Sequence, residues 1–105
     1  MFPNDEDGQV LQMLWKEGVN FKEPQNLDFY ILCPNEQSLI NSLQRLEEND
    51  FVAEGFFDEG DDEWSCTVYV NTMLNYETII EIQAVLDELV NPFDAHSDGW
   101  GMMIE

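Results

Sequence analysis

Apolar residues recur at helical spacing in three stretches of the chain, and each stretch predicts a helix. The first helix is expected from residue 4 or 5 to residue 17, with Gly18 as its stop. The second is expected over Glu36–Glu48, and the third from a cap near Asn75 to the residue before Pro92. The three apolar stripes are formed, in turn, by Val10, Leu11, Leu14 and Trp15, by Leu39, Ile40, Leu43 and Leu46, and by Ile79, Ile82, Leu86 and Leu89.

Four other stretches are rich in the aliphatic and aromatic residues that favour strands. They predict strands over residues 27–33, 51–57, 64–70 and 93–104, the last one bent by two glycines. The acidic turn 58–63 joins the second strand to the third as a hairpin loop. After the first helix the order is therefore β-α-β-β-α-β, which predicts an α+β, ferredoxin-like sandwich with a four-stranded antiparallel sheet. The additional N-terminal helix is expected to cover an edge or an end of the sandwich.

The predicted strands divide their side chains between two faces, because successive side chains of a strand alternate. Cys33 and Cys66 fall on apolar faces and are expected to be buried free thiols rather than a disulfide or zinc ligands. Tyr30 and Tyr69 are expected on the opposite, helix-free face, which stacks bases in RNA-recognition domains. The charge of this chain opposes that use. The face is left as a surface for a protein partner, a homodimer interface, or a set of half-buried strand residues.

Charge restricts the class of partner. The length fits one domain, 1–105, with 23 Asp and Glu against 3 Lys and Arg, a formal net charge of −20. Proteins that bind phosphates directly depend on Lys and Arg, so nucleic-acid binding and docking on an anionic membrane are excluded, and a basic partner is favoured. Hydrophobic residues make up 44% of the chain, which opposes disorder. Because neither a long apolar run nor a secretory signal is visible, a cytoplasmic protein is expected.

The sequence offers little for catalysis or for metal binding. His96 could share a strand face with Asp94 and Asp98, but a solvated surface histidine is the favoured interpretation. Asp94–Glu105 places acids at positions 1, 5 and 12 of an EF-hand-like loop and glycine at position 6. His96 at position 3 is a poor ligand for a hard cation, and the chain ends where an exit helix would begin. No catalytic residue, cofactor or metal ligand is predicted.

Trp100, between Gly99 and Gly101, allows two interpretations. It could anchor a partner, because Trp is enriched at binding hot spots. Alternatively, it packs over the end of the sheet, where the two glycines permit a tight backbone. Packing is favoured.

Two short strings near the ends of the chain are more specific than its periodicity. Ser97-Asp98-Gly99-Trp100-Gly101 follows the last helix, and Asp5-Glu6-Asp7-Gly8 begins the first. With the element order between them, these strings make the chain resemble the family called regulator of ribonuclease E activity B over essentially its whole length. The resemblance implies a ferredoxin-like, acidic cytosolic protein, and the family motif falls on Asp98, Gly99, Trp100 and Gly101. The best-known branch inhibits ribonuclease E by binding its non-catalytic scaffold region. Without that branch's long acidic tail, this chain is expected to be a stand-alone short member.

The predicted function is that of a non-catalytic acidic regulator, which binds and inhibits an RNA-degrading enzyme through a basic segment of that enzyme. The candidate partner-binding residues are Trp100 and eight acids: Asp58, Glu59, Asp61, Asp62 and Glu63 of the hairpin, with Asp5, Glu6 and Asp7. An immunity protein that neutralises a basic nuclease toxin is the alternative, because a nuclease cleft is also positively charged. A divalent-metal-binding domain is a more distant alternative. The protein is expected to be a monomer or a homodimer.

Overall fold

The computed structural model describes residues 3–102 of the chain. Its helices are α1 (Glu6–Lys16), α2 (Glu36–Glu48) and α3 (Tyr76–Val90), and its strands are β1 (Gln25–Cys33), β2 (Val52–Asp58), β3 (Glu63–Thr72) and β4 (His96–Gly101). A short 3-10 turn, Asn91–Phe93, separates α3 from β4. Among the described residues, none of the helices has the length and apolar character that crossing a membrane requires.

Each helix begins at a polar side chain that accepts a hydrogen bond from the backbone N–H three residues further on. The caps are Asp5 for α1, Asn35 for α2 and Asn75 for α3. The distances from the backbone nitrogen to the side-chain oxygen are 2.8, 2.8 and 3.2 Å, respectively. The first four backbone N–H groups of a helix have no partner inside the helix, and a cap satisfies one of them. The predicted cap at Asn75 is therefore confirmed.

The four strands form one antiparallel sheet in the order β2-β3-β1-β4. This order confirms the predicted ferredoxin-like α+β arrangement with an added N-terminal helix. The long ladder between β1 and β3 forms the centre, and the ladder between β1 and β4 shifts register between Phe29 and Ile31. β2 and β4 are the two edges.

One face of the sheet packs against the helices and holds the core. Leu27, Phe29 and Ile31 of β1 are fully buried there, beside Cys66 and Val68 of β3. The helices contribute Leu11, Leu14, Leu39, Leu46, Ile79, Leu86 and Val90 to the same cluster. The predicted alternation of β1 and β3 is confirmed, because the residues between these positions are exposed or half-buried.

Cys33 and Cys66 lie in this core as free thiols, as predicted. Cys66 stands opposite Ile31, so the two cysteines are diagonal neighbours on adjacent strands. A hydrogen bond from the Cys66 thiol lowers the pKa of Cys33. The same bond, together with burial, raises the pKa of Cys66.

Two predicted stripe residues were placed wrongly. Trp15 is 61% exposed and Ile40 is 49% exposed. α1 buries only a narrow stripe, and Trp15 beside it makes an edge contact with Phe21 at 5.4 Å between ring centres. α2 instead turns Ser38 and Ser42 inward. The buried Ser38 hydroxyl is satisfied because it donates to the carbonyl of Phe93 at 2.6 Å.

The last strand is shorter than the predicted 93–104. Pro92 lies in the 3-10 turn, and Asp94 adopts a left-handed backbone with φ of 63°, so the extended segment begins only at His96. Strands β1, β2 and β3 differ from their predicted bounds by two residues at most at either end. The end of the predicted last strand, Ile104, lies outside the described residues.

Candidate functional site

The N-terminus of α1 is tied to α3 through Asp5. One carboxylate oxygen of Asp5 caps the helix by accepting from the N–H of Gly8, and the other accepts a hydrogen bond from the Tyr76 hydroxyl. These bonds stabilise the charged carboxylate, with the Tyr76 hydroxyl as the main cause, and they lower the pKa of Asp5. The same pairing raises the pKa of Tyr76. Asp5 therefore fixes the position of α1.

Asp7, in the first turn of the helix, connects α1 to β4. Its Oδ1 atom accepts a hydrogen bond from Trp100 Nε1 at 2.9 Å and another from Gln83 Nε2 at 3.2 Å. The two short sequence strings, residues 5–8 and 97–101, therefore meet in space although about ninety residues separate them along the chain. We call the cluster of Asp5, Asp7, Gly8 and Asp98–Gly101 the motif corner.

Gly8 is required by the tight entry of the chain into α1. A Cβ atom at this position would lie 1.9 Å from the carbonyl oxygen of Pro3, far inside van der Waals contact. Any other residue would force the segment before α1 to move away, and the cap at Asp5 lies within that segment.

β4 is held in place by Asp87 of α3. The carboxylate of Asp87 accepts from the Ser97 backbone N–H at 2.6 Å and from the Ser97 hydroxyl at 2.9 Å. Gly99 then adopts a φ of 94°, which side-chain-bearing residues rarely adopt. With this turn, Trp100 points inward and stacks on Phe29 at 6.4 Å between ring centres, and only 7% of its surface remains exposed.

A cleft of about 300 Å³ opens beside these contacts. Its walls are formed by Glu6, Asp7, Val10, Gln83, Ser97, Asp98, Gly99 and Trp100. The polar groups that reach it are carboxylates, an amide and a hydroxyl, and both Asp7 and Ser97 already take part in hydrogen bonds within the protein. Chemically, the cleft can accept hydrogen bonds or a positive charge at Glu6 and Asp98.

The acidic hairpin has a different character. Asp58 organises the turn by accepting from the backbone N–H of Gly60 at 2.9 Å. Every residue from Asp58 to Glu63 is exposed. The five carboxylates of this segment are Asp58, Glu59, Asp61, Asp62 and Glu63. The hairpin is therefore a solvated negative surface, in which Asp58 accepts hydrogen bonds from its own turn and the other carboxylates face solvent.

His96 belongs to the hairpin end of the molecule. It lines a groove of about 280 Å³ together with Asp61, Asp62, Glu63 and Asp94. Asp94 ends the 3-10 turn and His96 begins β4, so this part of the chain does not form a calcium-binding loop. Glu105, the last acid of the EF-hand-like pattern, lies outside the described residues.

Within residues 3–102, no three His, Cys, Asp or Glu side chains are grouped so that they could hold a metal ion. The acids of the chain are numerous but spread over its surface.

The structure divides the predicted binding residues into two groups. Asp5, Asp7 and Trp100 have hydrogen-bond partners on distant elements. Glu6 and the hairpin acids face solvent, and Asp58 among them bonds only within its own turn. Packing of Trp100 against Phe29 agrees with the favoured interpretation of that residue. Sequence reasoning missed the three residues of α3 that hold the corner, Tyr76, Gln83 and Asp87. Only their spacings of seven and four residues, which place them on one side of α3, could have suggested a shared contact.

Fold and site together define a small, acidic α+β protein of ferredoxin-like architecture, with exposed carboxylates as its main chemical feature. The chain belongs to the regulator of ribonuclease activity B family, whose sequence pattern matches residues 4–102. Membership places the chain among proteins that regulate ribonuclease activity, a family of regulators with a ribonuclease as partner. No curated protein matches the chain.

Proposed function

We propose that this protein is a non-catalytic cytoplasmic regulator that binds a basic segment of a ribonuclease and inhibits RNA cleavage. Family membership supports the class of target. The observation that carries the mode of binding is the exposed hairpin, where five carboxylates lie within six consecutive residues. A segment rich in Lys and Arg would gain favourable contacts with the carboxylates that face solvent, while Asp58 keeps the hydrogen bond within its own turn.

The mechanism is competition for positive charge. Ribonucleases that act on long RNAs hold the phosphate backbone with Lys and Arg side chains. A domain of net charge −20 attracts such a segment over several ångströms and raises the association rate, an effect that weakens as salt screens it. A segment held by the acidic protein is not free to hold RNA, and so cleavage slows.

The two groups of acids have different parts in this proposal. The hairpin acids and Glu6 contact the partner directly. Asp5 and Asp7 add to the negative field, but their main part is to fix α1 against α3 and β4. Trp100 supports that corner from inside rather than serving as an anchor.

Charge reversal on the hairpin tests the proposal. The variant Glu59→Lys, Asp61→Lys, Glu63→Lys is compared with Glu47→Lys, Glu77→Lys, Glu81→Lys, three exposed acids on helices. Both variants change the net charge equally, so only position differs. RNA cleavage by a purified ribonuclease with its basic segment is followed at several salt concentrations.

The hairpin variant should lose inhibition and show a flatter salt dependence, whereas the helix variant should retain most of it. Equal inhibition by both variants would remove the hairpin from the interface. Failure of the unmodified protein to slow cleavage at low salt would overturn the proposed function itself.

A further inference from the structure

The helix-free face of the sheet carries an exposed aromatic patch, which the hairpin proposal does not use. Tyr30 is 39% exposed, Tyr69 37%, Val52 67% and Phe56 46%. We call these four residues and the acids Asp28 and Glu54 the open-face patch. Aromatic and aliphatic side chains grouped on an uncovered sheet face commonly mark an interaction surface.

Strand register brings these side chains together. Tyr69 of β3 stands directly between Asp28 of β1 and Val52 of β2. Tyr30 pairs with Thr67, two residues from Tyr69, and Glu54 pairs with Thr67 from the other side. Alternate residues of one strand share a face, and so the two tyrosines are diagonal neighbours with a carboxylate on each flank.

The electrostatics of the tyrosines agree with this geometry. Partial desolvation, followed by the charge of Glu54, raises the pKa of Tyr69, and the nearby Asp28 adds to the effect. Desolvation and Asp28 also raise the pKa of Tyr30. Both hydroxyls therefore stay neutral at physiological pH, and the rings keep their electron-rich faces.

The motif corner leaves room for this patch. A Cβ atom at Gly101 would lie 3.2 Å from the Tyr30 hydroxyl oxygen. Gly101 pairs with Asp28 in the ladder between β4 and β1. The last glycine of the family motif thus allows the Tyr30 ring to lie over β4, within the same patch.

Charge decides which partner fits. The four strands contain no Lys or Arg; the three basic residues are Lys16, Lys22 and Arg45, outside the sheet. The acids Asp58 and Glu63 continue the same outward face to the hairpin. A second copy of this chain would bring two like-charged faces together, which is unfavourable at a net charge of −20 per chain.

We propose that the open-face patch binds an extended, arginine-rich protein segment, with guanidinium groups stacked on Tyr30 and Tyr69 and paired with Asp28 and Glu54. Arginine fits this patch better than lysine does, because its planar guanidinium stacks on aromatic rings while its N–H groups bond to a carboxylate. The segment would continue along the sheet to the acidic hairpin. This inference rests on the proposed function for the identity of the partner, but its binding chemistry can be tested separately.

The test measures binding of labelled oligoarginine and oligolysine peptides of equal length by fluorescence anisotropy. Tyr30→Leu with Tyr69→Leu removes both aromatic faces, whereas Tyr30→Phe with Tyr69→Phe keeps them and is the matched control. The leucine variant should bind oligoarginine about tenfold more weakly. The phenylalanine variant should bind oligoarginine with the affinity of the unmodified protein. Oligolysine should bind the leucine and phenylalanine variants with equal affinity. A urea unfolding curve verifies that each variant is folded.

A second pair of variants controls for charge. Glu54→Lys lies in the patch, and Glu81→Lys lies on α3. Both substitutions replace Glu by Lys, so the two variants differ in position and not in net charge. Glu54→Lys should weaken oligoarginine binding several-fold more than Glu81→Lys. Equal losses for this pair, or unchanged binding by the leucine variant, would overturn the proposal. The proposal would also be overturned if the unmodified protein sedimented as a homodimer and the leucine variant as a monomer.

The ribonuclease assay separates this inference from the proposed function. If the unmodified protein inhibits cleavage and the leucine variant inhibits equally, the open-face inference fails and the proposed function stands. If oligoarginine binding depends on Tyr30 and Tyr69 but the unmodified protein does not affect cleavage, the proposed function fails and the binding surface stands.

Discussion

The motif corner and the hairpin are both rich in acids, yet their carboxylates act differently. In the motif corner, Asp5 and Asp7 accept hydrogen bonds from Tyr76 and Trp100, two side chains of distant elements. In the hairpin, the side-chain acceptor Asp58 serves only its own turn, and its neighbours face solvent. Negative charge therefore holds distant elements together in one region and is left exposed to solvent in the other. The difference can be tested by removing carboxylates and their partners in each region.

Loss of Trp100 should have the largest effect on stability. Trp100→Ala removes the ring that stacks on Phe29 and leaves a cavity next to β4. We expect the free energy of unfolding to fall by about 3–5 kcal/mol, measured by urea denaturation. Trp100→Phe keeps an aromatic ring and loses the donor to Asp7, and so it should cost less. A change below about 1 kcal/mol for Trp100→Ala would contradict its packing role.

Loss of Asp7 should have the next largest effect. Asp7→Ala leaves the indole N–H of Trp100 without its acceptor, in a position where that residue is only 7% exposed. We expect a loss of about 1–3 kcal/mol in the same measurement. Asp7→Asn retains one acceptor oxygen and should lose less. Glu6→Ala, at the adjacent exposed position, is the control. Equal losses of unfolding free energy at both positions would show that Asp7 has no structural role beyond that of Glu6.

The pair of Asp5 and Tyr76 should give stability a measurable dependence on pH. The pKa of Asp5 in the folded protein lies below its ordinary value of 3.8, so its stabilising effect is complete above that pH and disappears as pH falls through the lowered value. The raised pKa of Tyr76 acts in the opposite direction: its contribution is complete below pH 10.0 and disappears as pH rises further.

Asp5→Asn should therefore reduce stability near neutral pH. The difference in stability between this variant and the unmodified protein should become smaller in acid. Thermal unfolding midpoints from pH 2 to pH 7 measure this difference, with Tyr76→Phe as the control that removes the same bond from the other side. A constant difference at every pH would contradict the assignment.

Neutralising the hairpin should have the smallest effect on stability. Glu59→Gln with Asp61→Asn removes two exposed charges without removing a side-chain hydrogen-bond partner. The free energy of unfolding should change by less than about 0.5 kcal/mol, or rise slightly as repulsion among acids decreases. A loss of unfolding free energy comparable to that of Asp7→Ala would show that the hairpin also has a structural role.

Local patterns were enough to predict much of the fold. The alternation through Phe29 and Ile31 defined the buried face of β1, and Asn75 defined the start of α3. The pattern failed at Trp15, because the width of a buried stripe depends on the neighbouring element and not on the helix alone. It also failed after Pro92, where the 3-10 turn delays the start of β4.

The division of the acids could not be predicted in this way. Nothing near Asp7 in the sequence distinguishes it from Glu6, since its partner Trp100 lies at the other end of the chain. Long-range hydrogen bonds depend on how the elements pack, which residue spacing does not specify. The helix-free position of Tyr30 and Tyr69, in contrast, followed from strand alternation alone.

The most direct test of this division is an NMR titration of the ¹⁵N-labelled protein with the basic segment of a ribonuclease. Trp15, Trp64 and Trp100 each contribute an indole N–H signal, and Trp100 reports on the motif corner. The amide signals of residues 58–63 and of Glu6, Tyr30 and Tyr69 should shift progressively, while the Trp100 indole and the amides of Asp7 and Gly8 remain in place. Large shifts of the Trp100 indole and of Asp7 and Gly8, with residues 58–63 unchanged, would contradict the proposed binding surface.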